Sequence, residues 1–451
     1  MVYGTPPPKP PVRTGLGEYL PPFLEPENLP DTVAANLPER LSETALDTAY
    51  AHAASLAGKL DAATAELEYA AQGEIDGLLA ARLAAATPTP TADIPTLSVA
   101  GPGGSSGIAS PVVYTFDTTA VRRVGCVGVT VNALSTDYIQ NQVNGETGSG
   151  AQAWAVETVT DSPDVAIPFR CAVTGASLFW VWVDGRPISR SPYKATTNTS
   201  ANSKSYFRMV FPDTKRRTIR VYMGGADFGG LQVATGKTAT ATTAAEPYRL
   251  AVVGDSWTAN AGTATWPNTF SAVLGRMLGA ETFLCGRGGT GYVATSTPFG
   301  HTTRLANLTT ANPSLIIVEG SINDNASYAT VGAAATAYYN SVATNLPSAK
   351  LIVVGPQPVP ADYATSTNLL ANRDAVKAAA LAAPNVLGFI DPIEGAWLSG
   401  TGKINTPTGS GNRDYYVHTD QLHLTRSGGH YWASRTVREL LRLADVNGLD
   451  Y

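Results

Sequence analysis

The sequence predicts a multidomain chain with an N-terminal α-helical stalk, a central all-β sandwich of jelly-roll-like kind, and a C-terminal α/β domain built on a parallel sheet. Three observations predict it. Residues 41–87 run without proline and are dense in Ala, Leu and Glu. Between 110 and 233 the apolar pattern turns to period two. From Tyr248 onward, short runs of Val, Ile and Leu alternate with stretches that can form helices.

At 451 residues the chain exceeds one ordinary domain, and 44% apolar against 15% charged residues marks it as globular. A formal net charge of −5 with no basic run excludes the clustered Lys and Arg by which a protein displaces counterions from nucleic acid. No run approaches the roughly 20 apolar residues of a membrane span. The start, "MVYGTPPPKPPVRTG", lacks the apolar segment of a secretory signal, so work outside a cell would need another route of exit.

In residues 1–90, a Pro-rich opening leads into the helix. Leu46, Ala49, Ala53, Leu56, Leu60, Ala63, Leu67 and Ala70 alternate spacings of three and four, the seam of a coiled coil, until the register fails at Glu74 and Gly77. Self-association through this helix, as a homo-oligomer such as a trimer, stands against packing of an amphipathic helix on its own chain. Residues 91–109 read as a linker by composition. The β-unit spans 110–233; "RTIRVYM" alternates strictly, and Asp184-Gly185 stands where a tight hairpin turn requires it. A second linker, 234–247, closes it. Cys126 and Cys171 can pair in an oxidising setting, although three thiols acting as small apolar residues, Cys285 included, is the simpler reading.

In the last domain, 248–451, five runs read as strands buried on both faces: Arg249 to Val253, Thr282 to Cys285, Leu315 to Val318, Leu351 to Val354, and Leu387 to Ile390. Segments such as Ala329 to Asn345 and Ser366 to Ala382 read as covering helices. Ligands of such sheets bind beyond the carboxyl ends of the strands, so the loops there are where chemistry is to be sought. They hold Gly254-Asp255-Ser256, then Gly286 to Gly291 ("GRGGTG"), then Gly320-Ser321-Ile322-Asn323-Asp324. Ahead of the last helix stands "TDQLHLTRSGGHYW".

These residue types suit acyl transfer. A serine hydroxyl needs a general base, a histidine supplies it, and a carboxylate fixes the imidazole tautomer. Ser256, His423 and Asp420 can fill those roles, and the Ser256 and Gly289 backbone N–H groups with the Asn323 side-chain amide can face the oxyanion. "GDS", "GGTG", "IND" and "DQLH", in that order, resemble the four blocks of the SGNH (GDSL-type) hydrolases. The resemblance implies a flavodoxin-like three-layer fold and ester hydrolysis with no cofactor and no metal. It implies Ser256 as nucleophile, Gly289 and Asn323 as oxyanion donors, His423 as base and Asp420 as its orienting acid. The pattern departs from the family in three places. Trp257 stands where Leu is common. No Asn precedes the glycines, with Leu284 near that place, which leaves the loop to be held differently. Ser321 occupies a position that is usually glycine.

His418 is the nearest rival base but lacks an Asp three residues before it; His430 falls inside the last helix, His52 lies on the N-terminal helix, and His301 has no acid near it in sequence. Asp255 and Asp324 read as loop-shaping rather than catalytic. "GGSSG" (103–107) satisfies the nucleophile-elbow pattern without a surrounding strand and helix. "GRGGTG" satisfies the dinucleotide pattern, yet no Asp or Glu follows from 282 to 318 to hold a ribose.

The expected function is a serine esterase, a carbohydrate O-deacetylase acting on an acylated glycan through an acyl-enzyme. The layout of the whole chain also resembles bacteriophage minor tail proteins, which implies a place in a virion tail, or outside the cell without a Sec signal. The alternatives are an inactive structural or receptor-binding tail protein and a free lipase or thioesterase.

Overall fold

The computed structural model describes residues 93–132, 135–141, 154–171, 177–189, 191–195, 203–243, 248–259, 268–294, 297–320, 322–324, 327–358 and 367–446. The expected stalk, its coiled-coil seam and the oligomer built on it lie outside the described residues.

The strands begin with β1 (Thr96–Ala100), β2 (Val112–Tyr114), β3 (Arg122–Val124), β4 (Val129–Asn132) and β5 (Ser135–Asn141). β6 (Trp154–Thr160), β7 (Asp164–Cys171), β8 (Ser177–Val183), β9 (Arg186–Pro187) and β10 (Tyr193–Ala195) follow. β11 (Lys204–Val210), β12 (Arg217–Gly224), β13 (Ala226–Phe228), β14 (Leu231–Val233) and β15 (Ala239–Thr240) complete the set. All their pairings are antiparallel, in one sheet of eight strands and one of seven. Phe169 and Phe207 from the first sheet meet Phe179 and Val221 from the second in one core, which makes the pair a sandwich. The β8–β9 turn is Asp184-Gly185 with both φ positive, 49° and 79°, the hairpin geometry that follows strand twist.

Two stretches read as linkers carry strands. β1 pairs with β11 from Thr96↔Val210 to Ala100↔Tyr206, and β15 pairs with β6 through Thr160 and Val159. Both are short strands rich in Ser, Thr and Ala, whose pairing comes from partners far away in sequence. Gly103–Gly107 lies in a loop, with no strand or helix around it.

The remaining strands are β16 (Arg249–Gly254), β17 (Glu281–Gly286), β18 (Leu315–Glu319), β19 (Lys350–Val354) and β20 (Val386–Ile390), all parallel, in the order β17-β16-β18-β19-β20. The helices are α1 (Phe270–Leu278), α2 (Thr302–Ala311), α3 (Tyr328–Asn345), α4 (Thr367–Ala382), α5 (Arg413–Tyr416) and α6 (Arg426–Val446). Successive strand residues point to opposite faces, so each strand feeds two cores. Ala251, Val253, Ile316 and Val318 pack under α2, α3 and α4, while Leu250, Val252, Ile317 and Ile352 pack under α1 and α6. That double burial is why the runs read as continuous rather than alternating.

The sandwich and the α/β half belong to one compact unit. On β8, Phe179, Val181 and Val183 face the sandwich core, and the other face turns Trp180, with Leu178 and Trp182, onto Ala272 of α1 and Leu284 of β17. The Arg276 guanidinium stacks on Trp180 with 5.1 Å to the ring centroid. Trp180 and Trp182 therefore serve the junction. Beside them Arg122 bridges Glu157 at 3.3 Å and Glu281 at 3.1 Å, and Glu281 also accepts the Gly125 N–H at 3.0 Å. Gly125 has φ +68°, and a Cβ there would lie 2.5 Å from the Thr282 carbonyl oxygen, so only glycine allows this approach. Cys126 and Cys285 carry free thiols.

Candidate active site

β16 ends at Gly254, and the chain turns sharply through Asp255 and Ser256. Asp255 shapes that turn: its Oδ1 accepts the Trp257 N–H at 2.9 Å, and its carbonyl accepts the Ala259 N–H at 3.0 Å. Ser256 is thereby left half-buried at the strand end.

The second turn comes from the loop before α6. Asp420 Oδ1 accepts the N–H groups of Leu422 and His423 at 2.9 and 3.0 Å, and the His418 N–H donates to the His423 carbonyl at 2.8 Å. Gln421 sits between them with φ +66°, a left-handed position held by these bonds. Lys403 caps the Thr419 carbonyl at 2.9 Å. The two turns are tied directly, because Trp257 Nε1 donates to the Leu422 carbonyl at 3.2 Å. Trp257, a departure from the family pattern, thus links the Ser256 loop to the His423 loop.

The outcome is a continuous relay. His423 Nε2 lies 2.9 Å from Ser256 Oγ, and His423 Nδ1 lies 2.7 Å from Asp420 Oδ2. Burial raises the Asp420 carboxyl, but the His423 N–H, the His423 ring and the Leu422 N–H outweigh it and bring the group down to about 2. Asp420 is an anion at any working pH. His418 reaches the same carboxylate only at 3.7 Å through its Nδ1 and contacts Thr419, not Ser256. His301 caps α2 through its ring. Burial, with Arg276 and Arg426 beside it, pushes His430 down to about 3, so that ring stays neutral.

The glycine-rich loop after β17 is held by two groups that take the place of the missing Asn. Asp324 accepts the N–H groups of Tyr292, Val293 and Ala294 at 2.9 to 3.0 Å. Arg304, 2% exposed, donates to Thr290 Oγ1 at 2.9 Å and to the carbonyls of Gly254 and Cys285 at 3.0 and 2.9 Å. Gly289 is exposed at the rim with φ +72°. The Asn323 amide bridges the first two loops, donating to Thr290 O at 2.9 Å and Asp255 Oδ2 at 3.2 Å. Its engagement means that an incoming oxyanion must share that amide with the loops. Ser321 lies outside the described residues.

Glu319, Gln357 and Arg304 belong to none of the sequence motifs. Glu319 did leave a signal, a lone carboxylate closing the apolar run "LIIVE"; Gln357 left none. Among the described residues no cluster of His, Cys, Asp and Glu could hold a metal ion, and no helix is long and apolar enough to cross a membrane.

Residues 252–430 match the GDSL-like lipase/acylhydrolase family. The C-terminal region carries a GDSL-like lipase/acylhydrolase domain. With that domain, the protein is an ester-hydrolysing serine hydrolase. Compared by sequence with curated proteins, the chain matches none. Among solved structures it is similar to the salicylyl-acyltransferase SsfX3 from a tetracycline biosynthetic pathway (13% identity, 74% of this chain, 98% of that one, TM-score 0.55). It is similar to a family two carbohydrate esterase from Cellvibrio japonicus (13%, 78% and 99%, TM-score 0.52). A third is an active-site mutant of a family two carbohydrate esterase from Clostridium thermocellum (12%, 74% and 100%, TM-score 0.52). At such identities the likeness is one of fold, and it extends over sandwich and GDSL-like domain together.

Proposed function

We propose that the protein removes acyl groups, acetyl foremost, from polysaccharide through an acyl-enzyme on Ser256. The observation that carries this reading is the 2.9 Å contact between His423 Nε2 and Ser256 Oγ, with Asp420 fixing the far side of the ring. Ser256 Oγ attacks the ester carbonyl carbon as its proton passes to His423 Nε2. The oxyanion is met by the Ser256 and Gly289 N–H groups and by the Asn323 amide. As the carbon–oxygen bond to the sugar breaks, His423 returns the proton to the leaving sugar oxygen. Water then attacks the acyl-Ser256, gives its proton to His423, and the carboxylic acid departs as Ser256 regains its hydrogen.

The polysaccharide part of the reading is supported by the family two carbohydrate esterases, whose fold the chain shares along nearly their whole length. Placement in a virion tail is supported by the layout of the sequence alone. A serine-directed fluorophosphonate should label Ser256 in the full chain. An acyl-chain series on small esters and acetylated glycans should favour acetyl, with Ser256→Ala inert. Labelling elsewhere, or a preference for long acyl chains, overturns the reading.

A further inference from the structure

Beneath the Ser256 turn, the ends of three strands bring two carboxylic acids and an amide together without solvent. Asp255, Thr258, Glu319 and Gln357 are each 0% exposed. Gln357 Nε2 donates to Glu319 Oε1 and lies 3.5 Å from Asp255 Oδ2. The other Glu319 oxygen lies 3.5 Å from Thr258 Oγ1. The acyl-transfer steps use neither Glu319 nor Gln357.

We propose that Glu319 is a positioning residue of this site: while protonated it lets Gln357 and Asp255 hold the Ser256 turn and the Asn323 amide in place, and its ionisation releases them. The inference rests on the reading of Ser256 as the nucleophile. Two buried carboxylates sharing one amide do not both ionise, because mutual repulsion adds to the desolvation of each. Asp255 is the better anion. It accepts from Trp257 N, Asn323 Nδ2 and Gln357 Nε2, and the Arg304 charge on α2 also bears on it. Among the described residues Glu319 is met only by the neutral Gln357 and Thr258, so the proton resides there. Burial first, and then the Asp255 charge, push the Glu319 carboxyl well above the ordinary carboxylate range. Bulk solvent does not reach a second charge here, since Asp255, Thr258, Glu319 and Gln357 are all fully buried. A charged Glu319 would draw the Gln357 amide to itself and repel Asp255, which at present holds both the nucleophile turn and Asn323.

The test uses the full chain. Wild-type hydrolysis of p-nitrophenyl acetate should fall at alkaline pH by roughly tenfold per unit, whereas Glu319→Gln, neutral and of the same shape, should lack that limb. Infrared difference spectra, wild type minus Glu319→Gln, should show a protonated carboxyl band at neutral pH that disappears over the same range. The folded state binds a proton that the unfolded state releases, so wild type should lose stability relative to Glu319→Gln as pH rises above about 4.3 toward the folded value. An unchanged alkaline limb in Glu319→Gln, or no such band at neutral pH, overturns the proposal. Should the variant not fold, the isotope-shifted band of wild type carrying 13C-glutamate decides. Failure of Ser256 to take the fluorophosphonate would sink the functional reading by itself, since the infrared titration reports on Glu319 independently of activity.

Discussion

Asp420→Asn should be more damaging than Asp420→Ala, although it is the milder change in shape. Asp420 Oδ1 accepts two backbone N–H groups at 2.9 and 3.0 Å, and Oδ2 faces His423 Nδ1 at 2.7 Å. An asparagine here keeps its carbonyl oxygen on the two N–H groups, each worth about 1 kcal/mol net, and so turns its NH2 toward Nδ1. Flipping the amide costs about 2 kcal/mol, a factor of roughly 30. In the favoured orientation Nδ1 must accept, Nε2 carries the proton, and the ring cannot take one from Ser256. The lost anion adds a further factor of about ten, the low end for a charge-assisted bond, because the Asp420 side chain is 41% exposed and partly screened. Asp420→Asn should therefore lose roughly 300-fold in kcat/KM and Asp420→Ala roughly tenfold, since the N–H groups that alanine abandons lie at the surface and turn to water. The assay is hydrolysis of a small acetyl ester by both variants at several pH values. Asp420→Asn at or above the alanine variant would refute tautomer control.

Asn323→Ala should lower turnover by about 100 to 1000-fold, measured with the same ester; wild-type rates would remove Asn323 from the oxyanion site. The depressed Asp420 carboxyl contributes stability that is present above its ordinary value of 3.8 and lost as pH falls through about 2. The gap between wild type and Asp420→Asn in thermal melting should therefore close over that interval and stay level above it, at no more than about 1 kcal/mol for so exposed a group. Glu281→Ala removes one of the carboxylates that Arg122 bridges and strands the Gly125 N–H, and should cost about 3 kcal/mol by urea unfolding, with sandwich and α/β half lost in one transition. Separate transitions would contradict the tight junction.

Legibility in the sequence followed how local each cause was. The five parallel strands could be read because both faces of each are buried, which leaves an uninterrupted mark such as "AVV" or "LIIV" in a few consecutive residues. The Asp420 turn was equally readable: its bonds span two and three residues, so Asp-x-x-His contains its own geometry. The pairing of β1 with β11 was not readable, because Thr96 finds Val210 only after the sandwich has formed, and its own residues are the Ser, Thr and Ala of a linker. The same applies to Trp180, whose strand pattern says "buried" without saying that Ala272 and Leu284 do the burying. The site divides along this line. Ser256, Asp420 and His423 announce themselves through neighbours in sequence, but what holds them in place comes from elsewhere: Arg304 ties Gly254 to Cys285, and Gln357 reaches Glu319 from the next strand end. A motif therefore specifies which groups react, while the precision with which they meet depends on contacts that no spacing encodes. Substitution of Arg304 or Gln357 should for that reason disturb turnover without touching any residue that a motif would name.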